Sequence, residues 1–206
     1  TAGGEWERLT EGPQDWAPSW SADGRFLAFV RGDREQEDIL VYQFEDRQVM
    51  SFVATAARET HPEFSPDGRW LAYRSNESGR YEVYVTSVPD RARTLTVSAQ
   101  GGVAPAWSRD GKTLFYYELH SPDDVRWMMK VTVRQEPELS LGRPTRFFPL
   151  PDGFQTLWPM RPYELHPDGR RFVVGRSAKT EPPLPIIRLH VVHNWFEELK
   201  RLSPVH

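Results

Sequence analysis

Pro18-Ser19-Trp20-Ser21-Ala22-Asp23-Gly24-Arg25 returns as Pro62-Glu63-Phe64-Ser65-Pro66-Asp67-Gly68-Arg69 and as Pro105-Ala106-Trp107-Ser108-Arg109-Asp110-Gly111-Lys112. A fourth, altered copy reads Pro162-Tyr163-Glu164-Leu165-His166-Pro167-Asp168-Gly169-Arg170. The four glycines stand 44, 43 and 58 residues apart, a period that belongs to tandem supersecondary units, with an insertion in the third interval. In each copy a short strand ends in Asp-Gly, a pair that suits a tight turn with positive φ, and an apolar strand begins at once. Asp23-Gly24, Asp67-Gly68, Asp110-Gly111 and Asp168-Gly169 are therefore the structural turns of four hairpins.

The strands after these turns are Phe26-Leu27-Ala28-Phe29-Val30, Trp70-Leu71-Ala72-Tyr73, Thr113-Leu114-Phe115-Tyr116-Tyr117 and Phe172-Val173-Val174. Their nearly unbroken apolar character predicts burial on both faces, as stacked sheets would provide. Third strands follow, among them Tyr81-Glu82-Val83-Tyr84-Val85, and then fourth strands such as Val49-Met50-Ser51-Phe52-Val53 and Thr94-Leu95-Thr96-Val97. The pattern predicts an all-β chain: a β-propeller of four four-stranded antiparallel blades, over about 16–55, 58–98, 101–150 and 155–193. The last blade lacks an evident fourth strand, while a spare strand stands at 5–10. Either that strand closes a small ring through the last blade, or the chain is part of a larger propeller, the reading favoured by a start at Thr1 that looks like a cut end. The tail 194–202 predicts a short C-terminal helix, with Asn194 as cap, Glu197 at the capping-box position and Pro204 as stop. Pro137 to Phe154 reads as an extended, proline-bearing loop.

With 38% hydrophobic residues and a mean hydropathy of −0.63, no stretch is apolar enough for a membrane-spanning helix, and no direct membrane insertion is expected. A net charge of −3 lacks the basic footprint of a nucleic-acid binder, so no nucleic acid is expected as partner. There is no cysteine, which removes disulfides and thiolate metal sites. Eight tryptophans suit a sheet protein filled by large flat side chains.

The repeats Trp/Phe-Ser-x-Asp-Gly-Arg/Lys, followed by Leu-Ala-Phe/Tyr and by Tyr81-Glu82-Val83-Tyr84-Val85, resemble the TolB-type propeller repeat over about 16–193. That repeat is similar in blade layout to WD40-like propellers but lacks their Trp-Asp signature. The ending Val191 to Leu199 is similar to the C-terminus of propellers fused behind bacterial serine/threonine kinase domains. This resemblance implies a kinase-associated module of a larger bacterial protein, on the periplasmic or extracytoplasmic side if that parent is membrane-anchored. The fourth copy departs from the pattern, with Leu165-His166-Pro167 where Trp-Ser-Pro is usual.

No chemistry-bearing motif is complete. Gly175-Arg176-Ser177 lacks the closing glycine of a nucleophile elbow, kinase motifs are absent, and His190 and His193 fall on opposite faces of a strand. The four turn aspartates sit one per blade, too dispersed for a calcium loop. The expectation is a protein that is not an enzyme and holds no metal or cofactor. Candidate binding residues come from geometry instead: the positions just before the motif prolines gather at one mouth of the central channel. Trp16, His61 and Arg161, with Trp158 above them, could grip a peptide end or an acidic group, or they could simply plug the channel. Three function classes stay open: a non-catalytic protein- or ligand-binding module, the propeller portion of a peptidase or hydrolase, and a periplasmic TolB-like adaptor. A protein or peptide partner is expected in the first, and a homodimer is compatible with open blade faces.

Overall fold

The computed structural model describes residues 7–12, 14–33, 35–119, 125–135, 138–154, 161–166, 168–177 and 187–191. The sixteen strands among them form four antiparallel sheets. β1 (Asp15–Trp20), β2 (Phe26–Gly32), β3 (Glu37–Gln43) and β4 (Gln48–Val53) make the first blade, in sequence order. The second blade repeats this with β5 (Glu59–Phe64), β6 (Trp70–Ser75), β7 (Glu82–Ser87) and β8 (Thr94–Thr96). In the third, β9 (Val103–Trp107) and β10 (Thr113–Tyr117) lead to the long β11 (Trp127–Arg134), whose outer edge is shared by β12 (Ser140–Leu141) and β13 (Thr145–Pro149). The fourth shows β14 (Tyr163–Leu165), β15 (Phe172–Ser177) and β16 (Ile187–Val191).

The hairpin turns form for a local reason repeated in three blades. The Ser21 hydroxyl donates to Asp23 Oδ1 at 2.7 Å and accepts from the Phe26 N–H at 2.9 Å, so one side chain bridges the turn. Ser65 does the same between Asp67 and Trp70, and Ser108 between Asp110 and Thr113. The glycines then take left-handed φ values of 71°, 71°, 67° and, in the fourth blade, 69°, which they adopt at no steric cost. His166, standing where serine stands elsewhere, keeps the fourth turn: its Nδ1 accepts from the Asp168 N–H, while Arg171 binds Asp168 Oδ2 at 2.7 Å.

Burial on both sheet faces follows from stacking. One apolar cluster joins blades one and two through Phe26, Val30, Ile39 and Val41 against Phe64, Leu71 and Tyr73. A second joins blades two and three through Ala72, Val83 and Val85 against Trp107, Leu114 and Val131. A third joins blades three and four, with Phe172 packed edge-on against Phe115 and Phe148. Each fully buried aliphatic side chain in these layers contributes about 2 kcal/mol.

The structure amends the sequence reading in several places. The third sheet carries five strands, because the eight-residue β11 is long enough for two outer segments and part of the insertion expected as loop pairs with it. The fourth shows three strands among the described residues. Residues 7–10, within the expected spare strand 5–10, form no strand; Glu7 instead pairs with Arg47 at the β3–β4 turn. The four sheets form no closed ring among the described residues. No helix occurs among those residues, and the helix expected over 194–202 lies outside them, as does Trp158.

Candidate binding site at the channel mouth

Each of the three innermost strands β1, β5 and β9 breaks register near its start, at Trp16/Ser19, Thr60/Glu63 and opposite Phe115/Tyr117. The break comes from one backbone device used three times. Ala17, His61 and Ala104 adopt φ of 51°, 55° and 53°, and each is followed by proline. Proline disfavours the right-handed helical region for the residue before it. Left-handed backbone at a residue bearing Cβ costs about 1–2 kcal/mol, and bulges of this kind re-aim neighbouring side chains.

The re-aimed residues enclose a recess of about 300 Å³. Its walls are Pro18, Pro62 and Pro105 with Ala17 and His61, and its polar groups are Glu63, Arg161 and Glu164. Arg161 crosses from the fourth blade and joins the second: Nη1 lies 2.9 Å from Glu63 Oε2, and Nη2 lies 2.7 Å from Glu164 Oε2. Its Nε–H donates to the Tyr163 carbonyl at 3.1 Å, and Nη1 reaches the Pro105 carbonyl at 3.4 Å. Burial works against the guanidinium charge, but Glu63 and the other acidic neighbours outweigh it and hold the Arg161 pKa above its ordinary value. Burial likewise pushes the Glu63 carboxyl up, against the pull of Arg161. The buried Tyr163 hydroxyl donates to the Ala104 carbonyl at 2.6 Å and so pins one of the strained peptides from the neighbouring blade.

Around the same rim, buried carboxylates organise the loops. Glu37 pairs with Arg58 across two blades at 2.7 Å, and Glu59 accepts from the Thr55 hydroxyl at 2.6 Å. Glu82 takes the Ser98 hydroxyl and the Gly101 N–H. Burial pushes Glu37 and Glu59 above the ordinary glutamate value.

The sequence-expected residues are thus divided. His61 and Arg161 line the recess together, whereas Trp16 stands behind His61, edge-on with ring centroids 6.3 Å apart, and packs into the first inter-blade cluster. The guanidinium expected to receive a partner's carboxylate already holds two carboxylates of its own chain. Glu63 and Glu164 escaped the sequence reading, although a signal was present: each follows a motif proline by one or two positions, on the strand that starts at the mouth.

The family model described as the TolB beta propeller domain matches residues 10–146. The search of curated proteins returned no match. Among solved structures, TolB from Acinetobacter baumannii is similar with a TM-score of 0.59 at 16% identity, over 79% of this chain and 38% of that one. Oligogalacturonate lyase from Vibrio parahaemolyticus reaches a TM-score of 0.58 at 13% identity, over 91% of this chain and 65% of its own. The β-propeller domain of the Trilobed protease from Pyrococcus furiosus, of open velcro topology, reaches 0.51 at 14% identity, over 87% and 54%. The chain therefore spans between 38% and 65% of the length of these structures. At such identities the likeness is one of fold.

These relatives overturn the expectation that the chain is not an enzyme. The same fold serves a lyase and a protease-associated domain as well as TolB, so a missing contiguous motif decides nothing. In a propeller, groups supplied one per blade meet only in space and leave no local signature.

Proposed function

This chain belongs to the TolB β-propeller domain family, and from that premise we propose that it binds a protein or peptide partner at the channel mouth, through a cationic group of that partner. The observation that supports this reading is the convergence of three strained Ala/His-Pro bulges on one recess whose ionised groups are two carboxylates and one guanidinium. Backbone strain persists where surrounding structure enforces it, and it clusters at binding sites. With Arg161 held between Glu63 and Glu164, the formal charge of the set is negative, which favours an amine or guanidinium over the acidic group first expected. Arg161 then orients the carboxylates, His61 offers a flat wall, and the prolines give a rigid rim. The tail resemblance to kinase-linked propellers supports placing this module as the sensing part of a larger bacterial protein.

The test is a titration of isotope-labelled protein with a short lysine- or arginine-terminated peptide and, separately, with its acidic counterpart, following backbone amides by NMR. Shifts at His61, Glu63 and Glu164 with the basic peptide, abolished by Glu164→Gln, are expected. Shifts with the acidic peptide alone, or confined to the Asp-Gly turns, would overturn the proposal.

A further inference from the structure

Asp-Gly occurs five times in the chain, four times in the motif turns and once more as Asp152-Gly153 in the third-blade insertion. In the motif the glycine closes the turn: the N–H groups of Gly24, Gly68, Gly111 and Gly169 each donate to the carbonyl three residues before, at 2.9 Å. The aspartate is fastened as well. Asp23, Asp67 and Asp110 accept through Oδ1 from the serine hydroxyl two positions before and from the N–H two positions after. Asp168 accepts through Oδ1 from the Arg170 N–H and through Oδ2 from Arg171.

The fifth pair sits one position earlier in its turn. There the Phe154 N–H donates to the Pro151 carbonyl at 3.0 Å, so Asp152 and Gly153 are the two central residues of the turn. Gly153, at φ 75°, lies inside the turn and does not close it, and Leu150 stands where the motif has serine. Both Asp152 and Gly153 are exposed. Local sequence does not set the pair apart, since Pro66-Asp67-Gly68 and Pro167-Asp168-Gly169 are the same tripeptide as Pro151-Asp152-Gly153.

We propose that Asp152 is a site of spontaneous covalent modification, converting to isoaspartate through a succinimide, and that the turn bonds keep the same dipeptide unreactive in the motif. The Gly153 nitrogen gives up its proton and bonds to Asp152 Cγ, whose hydroxyl leaves, so one water is released as the five-membered ring closes. One water then reopens the ring. Cleavage at Cγ restores aspartate, and cleavage at the original main-chain carbonyl leaves the chain running through Cγ. Water is the only co-reactant. In a motif turn the same attack must first free the glycine N–H and release the carboxylate from its donors, which together slow the step about tenfold or more. The Ser21 and Ser108 hydroxyls also hold Asp23 and Asp110 below the ordinary carboxyl value, against the protonated form that loses its hydroxyl. At the fifth site the product adds one main-chain atom where the Asp152 carbonyl accepts from Arg176 Nε at 2.9 Å. Phe154, buried edge-on against Tyr117, bridges to the same Arg176, so modification loosens the seam between blades three and four.

Peptide mapping of protein kept for weeks in warm neutral buffer tests the assignment, with isoaspartate tagged by an isoaspartate-specific methyltransferase. The tag is expected to build up at Asp152 at least about ten times faster than at any motif aspartate. In concentrated urea, where the turns are undone, the rates at Asp67, Asp152 and Asp168 are expected to converge, because the tripeptide is shared. A motif aspartate that reacts as fast as Asp152 in the folded protein overturns the proposal. So does a gap that persists in urea, which would assign it to sequence alone, or the absence of any tag at Asp152.

Discussion

The two rims of this propeller use the same unusual backbone region and treat its cost in opposite ways. At the turn rim, Gly24, Gly68, Gly111 and Gly169 occupy left-handed φ, where a residue without Cβ is at ease. At the mouth, Ala17, His61 and Ala104 occupy it with Cβ in place. The turn rim relaxes wherever it can, while the mouth keeps its strain and fixes it with proline, a buried tyrosine hydroxyl and an arginine clasp. One rim makes the fold, and the other spends part of the resulting stability on shape.

The clasp is the place where that contrast breaks most violently. Arg161→Ala removes the partner of Glu63 and one of the links from blade four to blades two and three. Leaving a largely buried carboxylate without its countercharge is expected to cost about 2–3 kcal/mol. Urea unfolding of Arg161→Ala measures it; a loss under about 0.5 kcal/mol would show that the ion pair is a surface ornament.

A pair of exchanges sharpens the comparison itself. Gly24→Ala puts a Cβ at φ 71° with no neighbour within 4 Å, so its cost is purely conformational, about 1 kcal/mol. Ala17→Gly, at φ 51°, relieves a similar strain but loosens the unfolded chain, so stability should rise by less than about 1 kcal/mol or stay level. A loss at the turn rim with no loss at the mouth, read from denaturation midpoints, is the expected result. Equal losses at both would mean that the mouth bulges carry no strain.

How far the sequence speaks follows from the same distinction. The turns were legible because serine, aspartate and glycine act over a few positions, and the blade layers because each central strand is apolar on both faces. The altered fourth copy kept its turn since His166 and Arg171 supply bonds of the kind that Ser21 and Arg25 supply elsewhere. The clasp was not legible: Glu63 and Arg161 meet only when the second and fourth blades curve toward one recess. Nor does a sequence announce left-handed backbone at alanine, whose preference runs the other way, or at histidine, which visits that region more often than most but still in a small minority of cases. Trp16, next to the left-handed Ala17, lies outside the recess lining and packs into the first inter-blade cluster.

Protonation separates the rims with the smallest effect. Asp23 is held down to about 2, chiefly by the Ser21 hydroxyl and then by the N–H and guanidinium of Arg25, against an ordinary 3.8. Asp168 is held down to about 2 by the Arg170 N–H first, with Arg171 and His166 adding to it. A carboxylate depressed in the folded state lends stability that is complete above its unfolded value and is lost as pH falls toward about 2. On the mouth side, burial raises Glu37, Glu59 and Glu63, so these groups take up protons on folding. Their charged forms burden the folded state at neutral pH, and that burden lifts as pH falls through their raised values toward that of an ordinary glutamate. Stability should therefore rise slightly on mild acidification, as the mouth side is relieved, and fall below about pH 4 as the turn side is stripped of its bonds. Asp23→Asn and Asp168→Asn should flatten the second limb and leave the first intact, in chemical denaturation repeated across pH. A parent protein that loses stability steadily from neutrality downward would show that the raised glutamates at the mouth do not control the first limb.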